Sequence, residues 1–185
     1  QEGVITASSG FPCTKSLVGC HNHPHAQSIS EAIKYSCNPY YYYLVKKIIQ
    51  QGKKKNMKED AAVGLKKWAK YMHSFGLGIR LNSDIYGMRK GLIPTVDFYN
   101  RWYGKNRWSF STIRSISIGQ GEVKLTPLQM ANIAVIIANK GWFYTPHFVK
   151  NSNRKKNYTG IDKKHFNPVI DGMKRVINET GGTAR

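Results

Sequence analysis

A tight turn between two helix signals, the tripeptide Ser36-Cys37-Asn38, constrains this chain more than any other feature. Upstream, Ser28-Ile29-Ser30-Glu31 has the Ser-x-x-Glu form of a capping box and predicts the start of a helix. Downstream, Asn38-Pro39 predicts the start of a second helix, because proline is tolerated in the first helical turn. The turn therefore places a hydroxyl and a carboxamide two residues apart, where the hydroxyl can relay a proton and the amide can donate and accept hydrogen bonds.

The same tripeptide also has a purely structural interpretation. Ser36 could cap the second helix, and Asn38 could be an ordinary turn residue. Because Ser-x-Asn occurs by chance in most chains of this length, the surrounding sequence has to decide between the two interpretations.

The surrounding sequence resembles the transpeptidase domain of class B penicillin-binding proteins. The segments that carry the resemblance are 28–42 (SISEAIKYSCNPYYY) and 117–144 (SIGQGEVKLTPLQMANIAVIIANKGWFY). The likeness is nearest to the penicillin-binding protein 2 branch of the cell-elongation machinery, in its Bacteroidetes-type form. It implies the α/β penicillin-binding (serine β-lactamase-like) fold, with residues 1–185 forming a partial transpeptidase domain. This part would be mainly the α-rich lobe, with few strands.

The resemblance also implies an activity and roles for two residues. Members of the family are peptidoglycan D,D-transpeptidases, which cross-link stem peptides through a serine acyl-enzyme, are targets of penicillin and support cell-wall synthesis and cell shape. Ser36 would relay a proton between the catalytic lysine and the leaving or attacking amine. Asn38 would hold that lysine and bind the amide backbone of the substrate. No cofactor is required for this chemistry.

Two further motifs of the family are expected outside the chain. The Ser-x-x-Lys nucleophile motif should lie just before residue 1 and the Lys-Thr-Gly strand just after residue 185, since neither Lys-Thr-Gly nor Lys-Ser-Gly occurs in the sequence. The one Ser-x-x-Lys match, Ser152-Asn153-Arg154-Lys155, lies in a basic polar stretch and is interpreted as a coincidence. We therefore expect a truncated, inactive fragment of marginal stability that associates through exposed apolar helix faces. A catalytically dead scaffold is an alternative.

A second group of chemically active residues lies near the start of the chain. Cys13, Cys20, His21 and His23 are soft and borderline ligands suited to tetrahedral zinc, and some members of the resembling family carry zinc in this neighbourhood. A Cys13–Cys20 disulfide and the absence of either feature are the alternatives. Cys37 is expected to point into the helical core as a small apolar side chain.

The formal net charge of +19 raises the alternative of a basic binding module for an anionic polymer. The basic residues are scattered, however, and no nucleic-acid-binding motif is present, so we expect no nucleic-acid partner. No apolar run reaches the roughly 18 residues needed to span a bilayer. The family resemblance implies a membrane anchor upstream, a location at the periplasmic face of the inner membrane, and partners in the elongation complex that include a lipid-II glycosyltransferase. Stem peptides and β-lactams would be the ligands of the full-length protein.

Periodicity and capping signals predict the remaining elements. Helices are expected over 60–74, 94–100, 127–140 and 168–177, an extended segment over 142–150, and a loop over 151–158. The buried face of the third of these helices is predicted to comprise Leu128, Ala131, Ile133, Ala134 and Ile137. The last helix is predicted to turn Val169, Met173, Val176 and Ile177 inward.

Overall fold

The computed structural model describes residues 2–81, 83–150 and 155–184, and within these ranges the regular secondary structure is mainly helical. The prediction of an α-rich lobe with few strands is confirmed. The α-helices are α1 (Ile29–Lys34), α2 (Asn38–Ile49), α3 (Met57–Ser74), α4 (Val96–Tyr103), α5 (Phe110–Ile113), α6 (Pro127–Ala138) and α7 (Asn167–Asn178), and the strands are β1 (Trp142–Tyr144) and β2 (Lys156–Tyr158). None of the helices in the described ranges is long and apolar enough to cross a membrane.

The helix pair α1–α2 forms as predicted around the Ser-x-Asn turn. The Ser28 side chain accepts a hydrogen bond from the Glu31 backbone N–H and caps α1. The Glu31 carboxylate accepts from the Gln27 N–H at 2.8 Å, one residue before the cap. Helix α2 carries Pro39 in its first turn, as its start signal required.

The main hydrophobic core lies between α2 and α3 and continues towards α4 and α5. Asn56 caps α3, so this helix begins at Met57, three residues before the predicted start. The fully buried aromatic side chains of Tyr99, Trp108 and Phe110 fill the far side of the core. This core gives α2, and with it the Ser-x-Asn turn, a rigid support.

Helix α6 has the predicted capping box at Thr126 and Gln129, and the predicted buried face is right only in part, since Ile133 and Ile137 pack against the core. The buried side chains are Gln129, Asn132 and Ile136, whereas Ala131 and Ala134 are exposed. The Gln129 amide is buried because it donates hydrogen bonds to the Gly76 and Lys90 carbonyls, both at 3.0 Å. Apolar side chains are distributed around α6, so its sequence shows no single apolar stripe that would identify the buried face.

Strands β1 and β2 pair antiparallel, with Trp142 opposite Tyr158 and Tyr144 opposite Lys156. The predicted loop over 151–158 is therefore wrong for 156–158. The remainder of that loop, residues 151–154, lies outside the described residues, and so does most of the Ser152–Lys155 match.

Helix α7 packs across α1 through a face that matches the predicted one only in part, since Val169 and Val176 are half-buried. Its contact point is Gly172, where an added Cβ would lie 2.8 Å from the Cβ of Ile33. Met173 and Ile177, which were predicted to face inward, are exposed. The two helices cross where Gly172 allows them to approach closely. The apolar pattern of α7 does not show this contact.

Candidate functional site

Ser36 occupies the turn between α1 and α2 in an unusual backbone conformation. Its φ angle is 48°, in the left-handed region that L-residues with a side chain rarely adopt. Its hydroxyl lies 2.8 Å from the hydroxyl of Thr183. The residue at the N-cap of α2 is Cys37, and that helix has no side-chain cap. Ser36 therefore does not cap α2, and the structural interpretation of this serine is wrong.

Asn38 begins α2, on the other side of the same turn. Its amide nitrogen donates a hydrogen bond to the Gly19 carbonyl at 2.8 Å. Within the part of the chain that the structure describes, this is the only hydrogen bond of the amide group. The amide oxygen therefore retains its capacity to accept hydrogen bonds from an ammonium or an amide N–H.

A polar network from the end of α7 fixes the α1 side of the turn. Lys34 pairs with Glu179 at 2.7 Å, and the lysine side chain is 9% exposed. Arg175 also binds Glu179 at 3.0 Å. The hydrogen bonds from Lys34 and Arg175 lower the pKa of the Glu179 carboxyl below its ordinary value. The network holds the segment after α7 against the last turn of α1.

Cysteine and histidine donors converge beside the Ser-x-Asn turn. The ligand atoms of Cys13, Cys20, His23 and Cys37 all lie within 4.8 Å of one another. The His23 Nε2 atom lies 3.4 Å from the Cys13 sulfur and 3.2 Å from the Cys20 sulfur. All three cysteines are free thiols, so the Cys13–Cys20 disulfide is not formed. The structure places Cys37, rather than His21, as the fourth donor, and the His21 ring packs beside the His23 ring instead.

Neighbouring groups orient this cluster of four donors. The Nδ1 atom of His23 lies 2.6 Å from the Pro24 carbonyl, to which it can only donate, so its Nε2 carries the lone pair that faces the sulfurs. The His25 Nδ1 accepts a hydrogen bond from the Cys13 backbone N–H at 2.9 Å. The His23 ring stacks on Tyr35 with 5.3 Å between ring centroids. These contacts tie the cluster directly to the residue that precedes Ser36.

The geometry and chemistry of the four donors fit a zinc ion. A tetrahedral zinc with bonds of about 2.0–2.3 Å separates its ligand atoms by roughly 3.3–3.8 Å. The distances from the His23 Nε2 atom to the Cys13 and Cys20 sulfurs, 3.4 and 3.2 Å, are close to this range, and the other donor atoms lie within 4.8 Å of one another. Burial raises the pKa of the Cys13 thiol, and it raises the pKa of Cys37 to about 12. A protonated thiol is a poor metal ligand. A bound cation would displace these protons and convert the thiols to thiolates, which coordinate the metal.

Sequence reasoning identified Ser36, Asn38, Cys13, Cys20 and His23, but it missed two partners. Cys37 was expected to be buried, and it is 0% exposed, yet its sulfur faces the other donors rather than only the apolar core. The position of Cys37 between Ser36 and Asn38 is the sequence feature that could have indicated its place at the site. The contact of Ser36 with Thr183 spans 147 residues, and no local pattern could have revealed it.

Comparison with protein families identifies the chain. The family model of the penicillin binding protein transpeptidase domain matches residues 1–185. The peptidoglycan D,D-transpeptidase MrdA of Acinetobacter baumannii is 29% identical over 132 residues, which represent 71% of this chain and 17% of that protein. The chain thus spans about a sixth of the length of this curated relative.

Solved structures show the same fold. The penicillin-binding protein PBP2 of Helicobacter pylori matches with a TM-score of 0.74 and 23% identity, over 97% of this chain and 33% of that one. A complex between this PBP2 and MreC, also from Helicobacter pylori, matches with a TM-score of 0.72 and 22% identity, over the same shares of the two chains. The match of the family model over residues 1–185 shows that the chain belongs to the family of penicillin-binding protein transpeptidase domains.

Proposed function

We propose that this member of the penicillin-binding transpeptidase family supplies the Ser-x-Asn part of the active site of a peptidoglycan D,D-transpeptidase. The observation that carries the proposal is the turn itself, in which a serine in the left-handed region and an asparagine at the start of α2 carry a hydroxyl and a carboxamide two residues apart. Strained backbone of this kind clusters at active sites. The family match over the whole chain supports the same assignment.

The reaction is an acyl transfer in two steps. A nucleophilic serine, expected in the longer protein, attacks the carbonyl carbon of the D-Ala-D-Ala bond, forms an ester and releases the terminal D-Ala as an amine that gains one proton. The amine of a neighbouring stem peptide then attacks the ester, the new amide bond forms, and the surplus proton returns to the serine oxygen. A β-lactam follows the first step only, so that the opened ring remains attached as an ester.

In this mechanism Ser36 and Asn38 have separate roles. The Ser36 hydroxyl can donate and accept at the same time, so it passes the proton between the catalytic lysine and the amine in either step. The Asn38 amide oxygen accepts from the lysine ammonium or from a backbone N–H of the stem peptide. The hydrogen bond from Asn38 to the Gly19 carbonyl supports this role, because it fixes the amide orientation.

Covalent penicillin labelling tests the proposed function. We expect intact-mass measurement to find one penicillin adduct on the full-length protein that contains this chain and none on residues 1–185 alone. An adduct on neither protein would contradict the transpeptidase assignment and favour a catalytically dead scaffold. An adduct on the isolated chain would show that the nucleophile lies within these residues.

We also infer that Cys13, Cys20, His23 and Cys37 hold a structural zinc ion. The convergence of three sulfurs and one oriented imidazole nitrogen supports zinc over a disulfide, which would use only two of the four donors. Zinc bound there would link the segment 13–23 to the first residue before α2. Because Cys37 lies between Ser36 and Asn38, this link would hold the backbone of the catalytic turn in place.

Metal analysis combined with thiol counting separates zinc from a disulfide. We expect one zinc per chain after purification, and three thiols that react with a thiol reagent only once a chelator has removed the metal. No bound metal and a single reactive thiol would instead identify a disulfide.

We propose that the full-length protein works at the periplasmic face of the inner membrane, anchored by a segment outside this chain, within the cell-elongation complex. The solved complex of PBP2 with MreC from Helicobacter pylori supports a partner of this kind. The family resemblance adds a lipid-II glycosyltransferase as a second membrane partner. Cell fractionation and co-purification from membranes test this placement, and recovery from the cytosolic fraction without either partner would contradict it.

A further inference from the structure

We propose that Thr183 is a positioning residue for Ser36, which directs the Ser36 hydroxyl for proton relay. The inference rests on the proposed function, in which Ser36 carries the proton. It adds a residue from the segment after α7 to a site otherwise built from the α1–α2 turn.

The contact between the two hydroxyls carries the inference. The Ser36 Oγ and Thr183 Oγ1 atoms are 2.8 Å apart, which is the usual length of an O–H···O hydrogen bond. Among the described residues, Thr183 is the only side-chain partner of Ser36. Because a serine hydroxyl otherwise rotates freely, this one contact restricts the positions that the hydroxyl can adopt.

Thr183 has a chemical role when it is the donor in this hydrogen bond. When Thr183 donates to the Ser36 oxygen, the Ser36 hydrogen is free to point at the leaving amine. As Ser36 releases that proton, negative charge develops on its oxygen, and the Thr183 O–H stabilises this charge without having to reorganise. Thr183 needs no contact with the substrate to act in this way.

The backbone around Thr183 is fastened to the same helix end that carries Ser36. The Thr183 N–H donates to the Lys34 carbonyl at 3.3 Å, and the Ala184 N–H donates to the Val176 carbonyl at 3.2 Å. A Cβ at Gly182 would overlap the Val176 carbonyl, so the segment fits closely against the last turns of α7. The ion pair between the buried Lys34 and the partly exposed Glu179 joins the same two segments.

Two substitutions at Thr183 in the full-length protein test the inference. Thr183→Val keeps the shape of the side chain and removes the hydroxyl, and Thr183→Ser keeps the hydroxyl. We expect Thr183→Val to slow acylation by a fluorescent penicillin about 10- to 100-fold, the effect of losing one hydrogen bond to a charged group. We expect Thr183→Ser to stay within about threefold of the unchanged protein. If Thr183→Val does not fold, Thr183→Ala takes its place with the same expectation.

A double-mutant cycle with Ser36→Ala separates positioning from a merely structural role. We expect Thr183→Val to have no further effect once Ser36 is alanine, because its target oxygen is gone. Equal losses in both backgrounds, or no loss from Thr183→Val alone, would overturn the inference. If Ser36→Ala itself leaves acylation unchanged, the proposed function fails instead, and the two failures are thereby distinguished.

Discussion

Ser36 has a φ angle of 48°, which costs a residue with a Cβ about 1–2 kcal/mol relative to the right-handed region. Among the described residues, only Asn106 and Lys140 share positive φ without being glycine. A residue keeps such a backbone conformation only when contacts with the surrounding structure hold it in place. Here the α1–α2 junction and the contact with Thr183 do so, and the hydroxyl is held at a fixed point.

Two substitutions at Ser36 test whether its left-handed backbone conformation is strained and whether its hydroxyl is needed for activity. Ser36→Gly and Ser36→Ala both remove the hydroxyl, but only glycine adopts φ of 48° without a steric cost. We expect thermal unfolding to show Ser36→Gly as the more stable variant by about 0.5–1 kcal/mol, and both to lose activity. A less stable glycine variant would mean that the turn relaxes in solution.

The cluster of four donors makes a pH-dependent prediction. Zinc binds cysteine as the thiolate, and a cysteine thiol is ordinarily protonated at neutral pH, so the three cysteines release three protons when the metal binds. Burial raises the pKa of Cys13 and Cys37, which holds their protons more firmly. Zinc affinity should therefore rise with pH, by about 1000-fold per unit for three protons released. Competition with a coloured chelator at two pH values near neutrality measures this slope.

Cys37→Ala is the matched variant for the pH test. It removes one thiol, so we expect a slope that is lower by one proton and a weaker affinity throughout. An affinity that does not change with pH would contradict zinc binding by these thiols.

At the scale of single residues, the sequence singled out the candidate residues that lie in one local segment. Ser36 and Asn38 were predicted because their spacing and the flanking helix signals lie within eleven residues. Thr183 was missed because its partner is 147 residues away and only the packing of α7 on α1 joins them. The Bacteroidetes-type character of the chain stays a prediction.

At the scale of elements, the crossing of α1 and α7 places Thr183 beside Ser36. The helices approach most closely at Gly172, where an added Cβ would lie 2.8 Å from the Ile33 Cβ and 2.9 Å from the Ser30 carbonyl oxygen. A hydrogen bond from Ser30 to Asp171 and the pairing of Lys34 with Glu179 reinforce the crossing. The position of α7 therefore depends on the absence of a side chain at one residue.

Gly172→Ala should separate the two helices. We expect a loss of about 1–2 kcal/mol, since the overlap with Ile33 and Ser30 outweighs the helix propensity gained from alanine. Chemical denaturation measures this loss, with Lys174→Ala on the exposed side of α7 as the control. A Gly172→Ala variant as stable as the control would contradict the close crossing.

Capping signals predicted helices better than apolar patterns predicted their buried faces. The starts of α1, α2 and α6 follow from Ser28, Pro39 and Thr126, whose effects are confined to one turn. The predicted inward faces of α6 and α7 were wrong in part, and the predicted loop was wrong where β2 forms. These features depend on which distant segment lies opposite, and the sequence of the element itself does not contain that information.

At the scale of the whole molecule, apolar side chains remain exposed on two helices that contact each other. They are Met130 and Val135 on α6, which are 55% and 45% exposed, and Met173 and Ile177 on α7, which are 40% and 57% exposed. Exposed apolar surface of this kind favours association.

We expect the isolated chain to self-associate and to bind a hydrophobic dye, because burial of these side chains is favourable by about 25 cal/mol per Å². The double substitution Met173→Lys and Ile177→Lys should reduce both effects, whereas Lys174→Ala should not. Analytical ultracentrifugation and dye fluorescence measure them. A monomer that does not bind the dye would show that the exposed side chains are too dispersed to act as one surface.

The rate of penicillin acylation in the full-length protein with Ser36→Ala tests the central claim most directly. If Ser36 relays the proton, its loss should slow acylation by about 10²- to 10⁴-fold, the usual contribution of a general acid–base group. Unchanged thermal unfolding would show that the loss is chemical. Acylation of the Ser36→Ala variant at the rate of the unchanged protein would contradict the assignment of this turn to the active site.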